Sequence, residues 1–142
     1  MIEQLTFMDM DISKKTRQKV EKLLSGYRNL EAIIESMEKD LPETKVTVNY
    51  EASESQRSNQ FSSQVENIVM IRDKVHQKKI MKAKLDRIYK SLREVQQEIW
   101  QYRFMEGMFD DLVIAEIDIS RRQYYREKSA LIKVVAEAFY FI

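Results

Sequence analysis

The chain has 142 residues, of which 33% are charged, with 2 Gly, 1 Pro and no Cys. That length suits one domain or two small helical units, and the scarcity of Gly and Pro points to helices with short connections. The net charge of +1 carries no whole-chain signal for nucleic acid, while the absence of Cys excludes a disulfide framework and a thiolate zinc site and suits a reducing cytoplasm.

The opening MIEQLTFMDMD is acidic and has neither a basic start nor a long apolar core, so it does not read as a signal peptide. No run of about 18 apolar residues occurs, so no membrane-spanning helix is expected; the tail VVAEAFYFI is far too short.

The first predicted helix runs from Ser13, its N-cap, to about Asp40. Val20, Leu23, Leu24, Tyr27, Leu30, Ile33, Ile34 and Met37 recur at gaps of three and four, which describes one helical face. Gly26 costs about 1 kcal/mol against Ala inside a helix, so a bend or break is expected there. Leu41-Pro42 ends the helix, because the residue before Pro is pushed out of the α region. KVTVNYE, Lys45 to Glu51, alternates like a strand. The polar, Ser-rich ASESQRSNQFSS that follows reads as a flexible linker.

Ser63 with Glu66 makes a capping-box pattern at the start of the next helix, whose face is Val65, Ile68, Ile71 and Val75. The phase lapses across HQKK and resumes at Met81, Leu85, Ile88, Leu92, Val95, Ile99 and Tyr102 in a heptad-like seam. Ser91 with Glu94 is a second capping-box pattern, which places a turn near Ser91. Gly107 supplies the stop for the helix before it. Trp100, Phe104 and most of the Met residues fall at apolar helical spacing and read as core.

Charge is unevenly spread. Arg72 to Arg103 has ten basic residues against four acids, Glu106 to Asp118 has five acids and no base, and Ser120 to Ile142 has five bases against two acids. Local basic patches bind phosphates even when the total charge is near zero. The Arg72–Lys84 stretch has two readings, a solvated face or a phosphate-contacting flank.

After Gly107, Asp110 is expected to cap a short helix to about Glu116. A tight turn at Ile117 to Ile119 leads to Ser120, which caps a last helix to about Tyr140. A short helix, a turn and a helix with a basic start form a helix-turn-helix pattern. Leu112, Val113 and Ile117 are expected to brace the first helix, Ile119 to point inward, and Tyr124 and Leu131 to anchor the second. Ser120, Arg121, Arg122, Gln123, Tyr125, Arg126 and Ser129 are left as the DNA-facing set. Arg pairs with guanine edges, Gln with adenine, and Tyr and Ser reach phosphates. The competing reading is a solvated surface helix that happens to carry arginines.

Four stretches carry a family resemblance. ISRRQYYREKSALIKVVAEAFY has Ile-Ser, a few variable residues, aromatic-Tyr-Arg and a helix ending in Ala-Glu-Ala; SSQVENIVMIRD opens a long mid-chain helix with Ser-x-Val-Glu; YRNLE and VTVNYE add support. On these the sequence resembles the ArpU family of phage and prophage late-gene transcriptional regulators from Gram-positive bacteria, over most of its length. The tail match is the most specific. The resemblance implies a DNA-binding activator of packaging and lysis genes that works with host RNA polymerase, with a C-terminal helix-turn-helix similar to region four of bacterial sigma factors. Two positions depart from the pattern. Asp118 stands in place of the usual turn Gly, a position with φ > 0 that Asp tolerates better than most residues. Ile114 is bulky where a small residue usually permits close packing.

Little else suggests chemistry. His76 is the single histidine and has no ligand partner at metal spacing. Asp110-Asp111 reads as a capping and dipole pair. There is no Gly-rich phosphate loop and no nucleophile motif. Neither enzyme activity, nor a metal, nor a cofactor is expected.

The expected architecture is all-α. It has an N-terminal helical segment with a short extended stretch (1–50), a Ser-rich linker (51–62) and a helical DNA-binding domain (63–142), with the helix-turn-helix at about 109–140. Expected partners are double-stranded DNA and, by resemblance, RNA polymerase. The rival class is a helical scaffold or adaptor that self-associates through the heptad-like helix; a homodimeric activator would reconcile the two.

Overall fold

The computed structural model describes residues 12–42 and 54–142; the side chains described are those of residues 12–42 and 63–142. In chain order the elements are α1 (Lys14–Lys39), α2 (Glu54–Ser91), α3 (Glu94–Ile99), a π-helical turn (Trp100–Met105), α4 (Asp110–Ile117) and α5 (Arg121–Ala138). The fold is all-α, with no strand among the described residues. The expected extended stretch at Lys45 to Glu51 lies outside them.

Helix α1 starts as its sequence requires. The Ser13 hydroxyl accepts the Thr16 amide at 3.1 Å, which satisfies one of the four orphan donors of the first turn. Gly26 does not break it, and the helix is continuous to Lys39. Val20 and Leu24 before Gly26, and Leu30 and Ile34 after it, are buried. Burial of such side chains contributes about 1.5–3 kcal/mol each and outweighs the intrinsic cost of one glycine.

Helix α2 corrects the linker expectation. It begins at Glu54, so most of the Ser-rich segment is helical and Ser63 lies inside the helix instead of at its start. Glu54, Gln56, Arg57 and Gln60 are good helix formers, and no Gly or Pro interrupts them. A polar composition does not by itself exclude a helix.

The turn expected near Ser91 is present with its capping shifted by two residues. Arg93 is the N-cap of α3, with extended backbone at φ −68° and ψ 156°. Its amide donates to Gln96 Oε1 at 3.2 Å. The Ser91 hydroxyl instead donates back to the Ile88 carbonyl at 2.7 Å, a common alternative for Ser at a helix end. The heptad-like seam is therefore not one helix. It is broken at Leu92–Arg93, and Leu85, Ile88, Leu92 and Ile99 are buried inside the fold.

Among the described residues, backbone contacts define two compact units, 12–28 with 83–142, and 29–42 with 54–82. In the first unit Trp100 is fully buried. Its Nε1–H donates to the Leu24 carbonyl at 3.2 Å. The Tyr27 and Tyr89 rings meet it at centroid distances of 5.2 and 5.3 Å, both in tilted or edge-on geometry, which suits aromatic quadrupoles. The Tyr27 hydroxyl donates to the Asp86 carboxylate. In the second unit Leu30, Ile34 and Val75 are buried and Lys79 pairs with Glu38.

The π-helical turn closes with the Glu106 amide donating to the Gln101 carbonyl, five residues back, at 2.9 Å. Gly107 follows at φ +73° and ends the helix, as its sequence position predicts. At the far end of α5 the stop is a Tyr. Tyr140 sits at φ 60°, with the Phe141 amide on the Ala136 carbonyl and the Tyr140 amide on the Glu137 carbonyl, the two bonds of a Schellman motif. Lys84 Nζ donates to the Ala138 carbonyl at 2.8 Å and lies over the Phe139 and Tyr140 rings. A cation thus meets the negative end of α5.

Candidate nucleic-acid interface

The candidate interface is built from α4, a short turn and the first half of α5. The N-cap of α4 is Phe109, in extended backbone at φ −68° and ψ 152°, with no side-chain cap. Asp110, expected as the cap, is instead the first helical residue. Helix α4 ends at Ile117. Asp118 takes the left-handed conformation, φ 60° and ψ 53°, and its amide donates to the Ile114 carbonyl at 3.0 Å. This is the glycine-like position anticipated for Asp118; a short polar side chain tolerates it. Ser120 then caps α5, its hydroxyl accepting the Gln123 amide at 3.1 Å. Ile117 and Ile119 are half-buried in the turn.

The anchoring set is mostly as expected. Val113, Tyr124 and Leu131 are fully buried. Leu112 is the exception. It is 54% exposed and faces away from the core, beside Phe109 at 76%. A helix of only eight residues buries one stripe, and Val113 occupies it; Leu112, 100° around the helix, falls outside.

A polar cluster that local spacing does not reveal joins the π-helical turn, α4 and α5. Asp110 Oδ1 accepts from Arg103 Nε of the π-helical turn at 3.0 Å and from Lys128 Nζ of α5 at 3.1 Å. It also accepts from the Tyr124 hydroxyl. Burial alone would raise the Asp110 pKa; the hydrogen bonds from Tyr124 and Lys128 and the two nearby cations outweigh it and hold the carboxyl below its usual value. The Tyr124 phenol is pushed up, first by burial and then by the carboxylate it donates to. A second tie joins α3 to α5. Arg93 donates from one guanidinium nitrogen to both oxygens of Glu127, at 2.8 and 2.6 Å. The Glu127 side chain is 7% exposed and that of Arg93 is 70% exposed.

The outer face of α5 holds Arg121, Arg122, Gln123 and Arg126, all exposed, with Tyr125 and Ser129 half-buried and Ser120 exposed at the cap. The Tyr125 ring meets the Tyr124 ring in edge-on geometry at a centroid distance of 5.1 Å, so it extends the core outward. Arg121 is held by Asp111 at 2.7 Å. The proposed DNA-facing residues therefore share one helical surface, and the anchoring residues share the opposite one.

Asp110, Arg103, Lys128, Arg93 and Glu127 were not singled out by sequence reasoning as site-forming residues. Lys128 and Glu127 lie in a basic, polar run that looks solvated, and their partners are 18 and 34 residues away. Only the position of Asp110 at a helix start gave a signal, and it pointed to a cap. His76 is exposed, and among the described residues no group of three or more His, Cys, Asp or Glu is placed to hold a metal. No described helix is long and apolar enough to cross a membrane. Comparison with protein-family models, curated proteins and solved structures found no match to the chain.

Proposed function

We propose that this chain is a sequence-specific duplex-DNA-binding protein, and that it activates late transcription of phage or prophage packaging and lysis genes. One observation supports the DNA-binding part above the others. Tyr124 is buried and tied to Asp110, while Arg121, Arg122, Gln123 and Arg126 project together from the first turns of α5. A helix so braced presents its N-terminal residues to a major groove, where Arg reads guanine and Gln reads adenine. The Ser120-capped start of α5 adds a positive helix end for a phosphate. The activator role and the contact with RNA polymerase rest on the resemblance to ArpU-type regulators. The scaffold reading loses support, because Leu85, Ile88, Leu92 and Ile99 are buried within the fold.

The test is selection of bound genomic fragments, followed by footprinting and salt titration. Affinity for the selected duplex falls steeply with salt, because phosphate contacts release counterions. Arg122→Ala lowers affinity for the target by about 1–3 kcal/mol and relaxes base preference at one position. Equal affinity of parent and variant for target and random duplexes would remove Arg122 as a base reader. No DNA affinity near physiological salt would sink the proposal.

A further inference from the structure

We propose that Asp111 is a specificity-determining residue, whose carboxylate holds Arg121 so that the DNA-facing helix discriminates against duplexes offering it only phosphates. The inference rests on the DNA-binding reading above and deepens it.

The two neighbouring acids of α4 have opposite surroundings. Asp110 turns inward to Arg103, Tyr124 and Lys128. Asp111 turns outward and accepts from an Arg121 terminal nitrogen at 2.7 Å, reaching across the turn to the first residue of α5. Both side chains are well exposed, at 72% for Asp111 and 65% for Arg121. An exposed pair of this kind adds little to stability. Asp110 already supplies an acid to the first turn of α4, so the helix dipole does not require a second. The consequence of the pair lies at the binding surface.

The carboxylate does two things there. It cancels the Arg121 charge at a distance and repels an approaching phosphate, so random DNA gains little from this arginine. It also orients the planar guanidinium, which has five N–H donors and gives one to Asp111. The remaining donors still fit the two acceptors of a guanine edge, whose alignment depends on geometry more than on net charge. Base recognition is retained and phosphate attraction is reduced.

The experiment compares parent, Asp111→Asn, Asp111→Glu and Arg121→Ala on the selected duplex and on a random duplex of equal length, by fluorescence anisotropy across a salt series. Asp111→Asn binds random DNA about two- to fivefold tighter, the range of an exposed pair, and its target-to-random ratio falls by at least that factor. Its salt dependence steepens by up to about 0.9 in log–log slope as one phosphate contact is gained. Asp111→Glu keeps the parent ratio, and Arg121→Ala abolishes the effect of Asp111→Asn in the double variant. An unchanged ratio and slope in Asp111→Asn, beside a parent that binds its target, overturns the inference alone. A parent without salt-dependent DNA binding overturns the function and the inference together.

Discussion

Removing the Asp110 carboxylate probes the junction of α4 and α5 directly. Asp110→Ala deletes the acceptor shared by Arg103, Tyr124 and Lys128. A hydrogen bond to a charged group contributes about 1.5–3 kcal/mol when its partner cannot find water. The three are unequal in that respect. The Arg103 side chain is 29% exposed and is resolvated readily; that of Lys128 is only 10% exposed and is left with the rings of Phe104 and Tyr125 nearby. The expected destabilisation is therefore about 3 kcal/mol, well short of the simple sum. Tyr124→Phe, which removes one hydroxyl, costs about 1.5 kcal/mol. Because both changes break the same bond, the double variant is less destabilised than the sum by about 1–2 kcal/mol. Urea unfolding followed by the fluorescence of Trp100, the single tryptophan and fully buried in this unit, measures each corner of the cycle. Additivity within about 0.3 kcal/mol would refute the Tyr124–Asp110 bond as an energetic tie between α4 and α5. The pH dependence supplies a check of sign. The folded Asp110 pKa is lowered, so its stabilisation is complete above about pH 4 and fades as the pH falls through the lowered folded value. The folded Tyr124 pKa is raised, so its contribution is complete below about pH 10 and is lost as the pH rises above that. Asp110→Asn and Tyr124→Phe each remove the corresponding limb.

Two further changes test the packing. Gly26→Ala places a methyl group where nothing lies within 4 Å, in the middle of a continuous helix, and should stabilise the protein by about 0.5–1 kcal/mol in thermal unfolding; a loss would mean that α1 needs the freedom of glycine at that point. Val113→Ala, at a fully buried site, should cost about 2 kcal/mol in the urea assay. Leu112→Ala, at a 54% exposed site, should stay within about 0.5 kcal/mol of the parent. The reverse order would put Leu112 back in the core.

How much was legible in the sequence depended on the range of the interaction. Ser13 and Ser120 were readable as caps because their bonds span three residues. Gly107 and the left-handed Asp118 were readable because local sterics select the residue. The Ser-rich stretch misled because its composition suits a loop and a solvated helix equally. The heptad-like seam misled because apolar spacing says which residues are buried, not whether they meet a second copy or their own chain.

By itself the sequence determined the all-α class, the order of a short helix, a turn and a Ser120-capped helix near the end of the chain, and the burial of Tyr124. Those follow from dihedral preferences and from the 3.6-residue period, which act within a few residues. Only the tertiary structure decided that Asp110 is a hub and Asp111 a partner of Arg121, that Leu112 lies outside the core, and that Glu127 is buried against Arg93. Each of these depends on which distant side chain the packed helices bring within 3 Å or so of a charged atom. In that setting the loss of water around a carboxylate must be met by a partner, and a partner many residues away leaves no periodic trace.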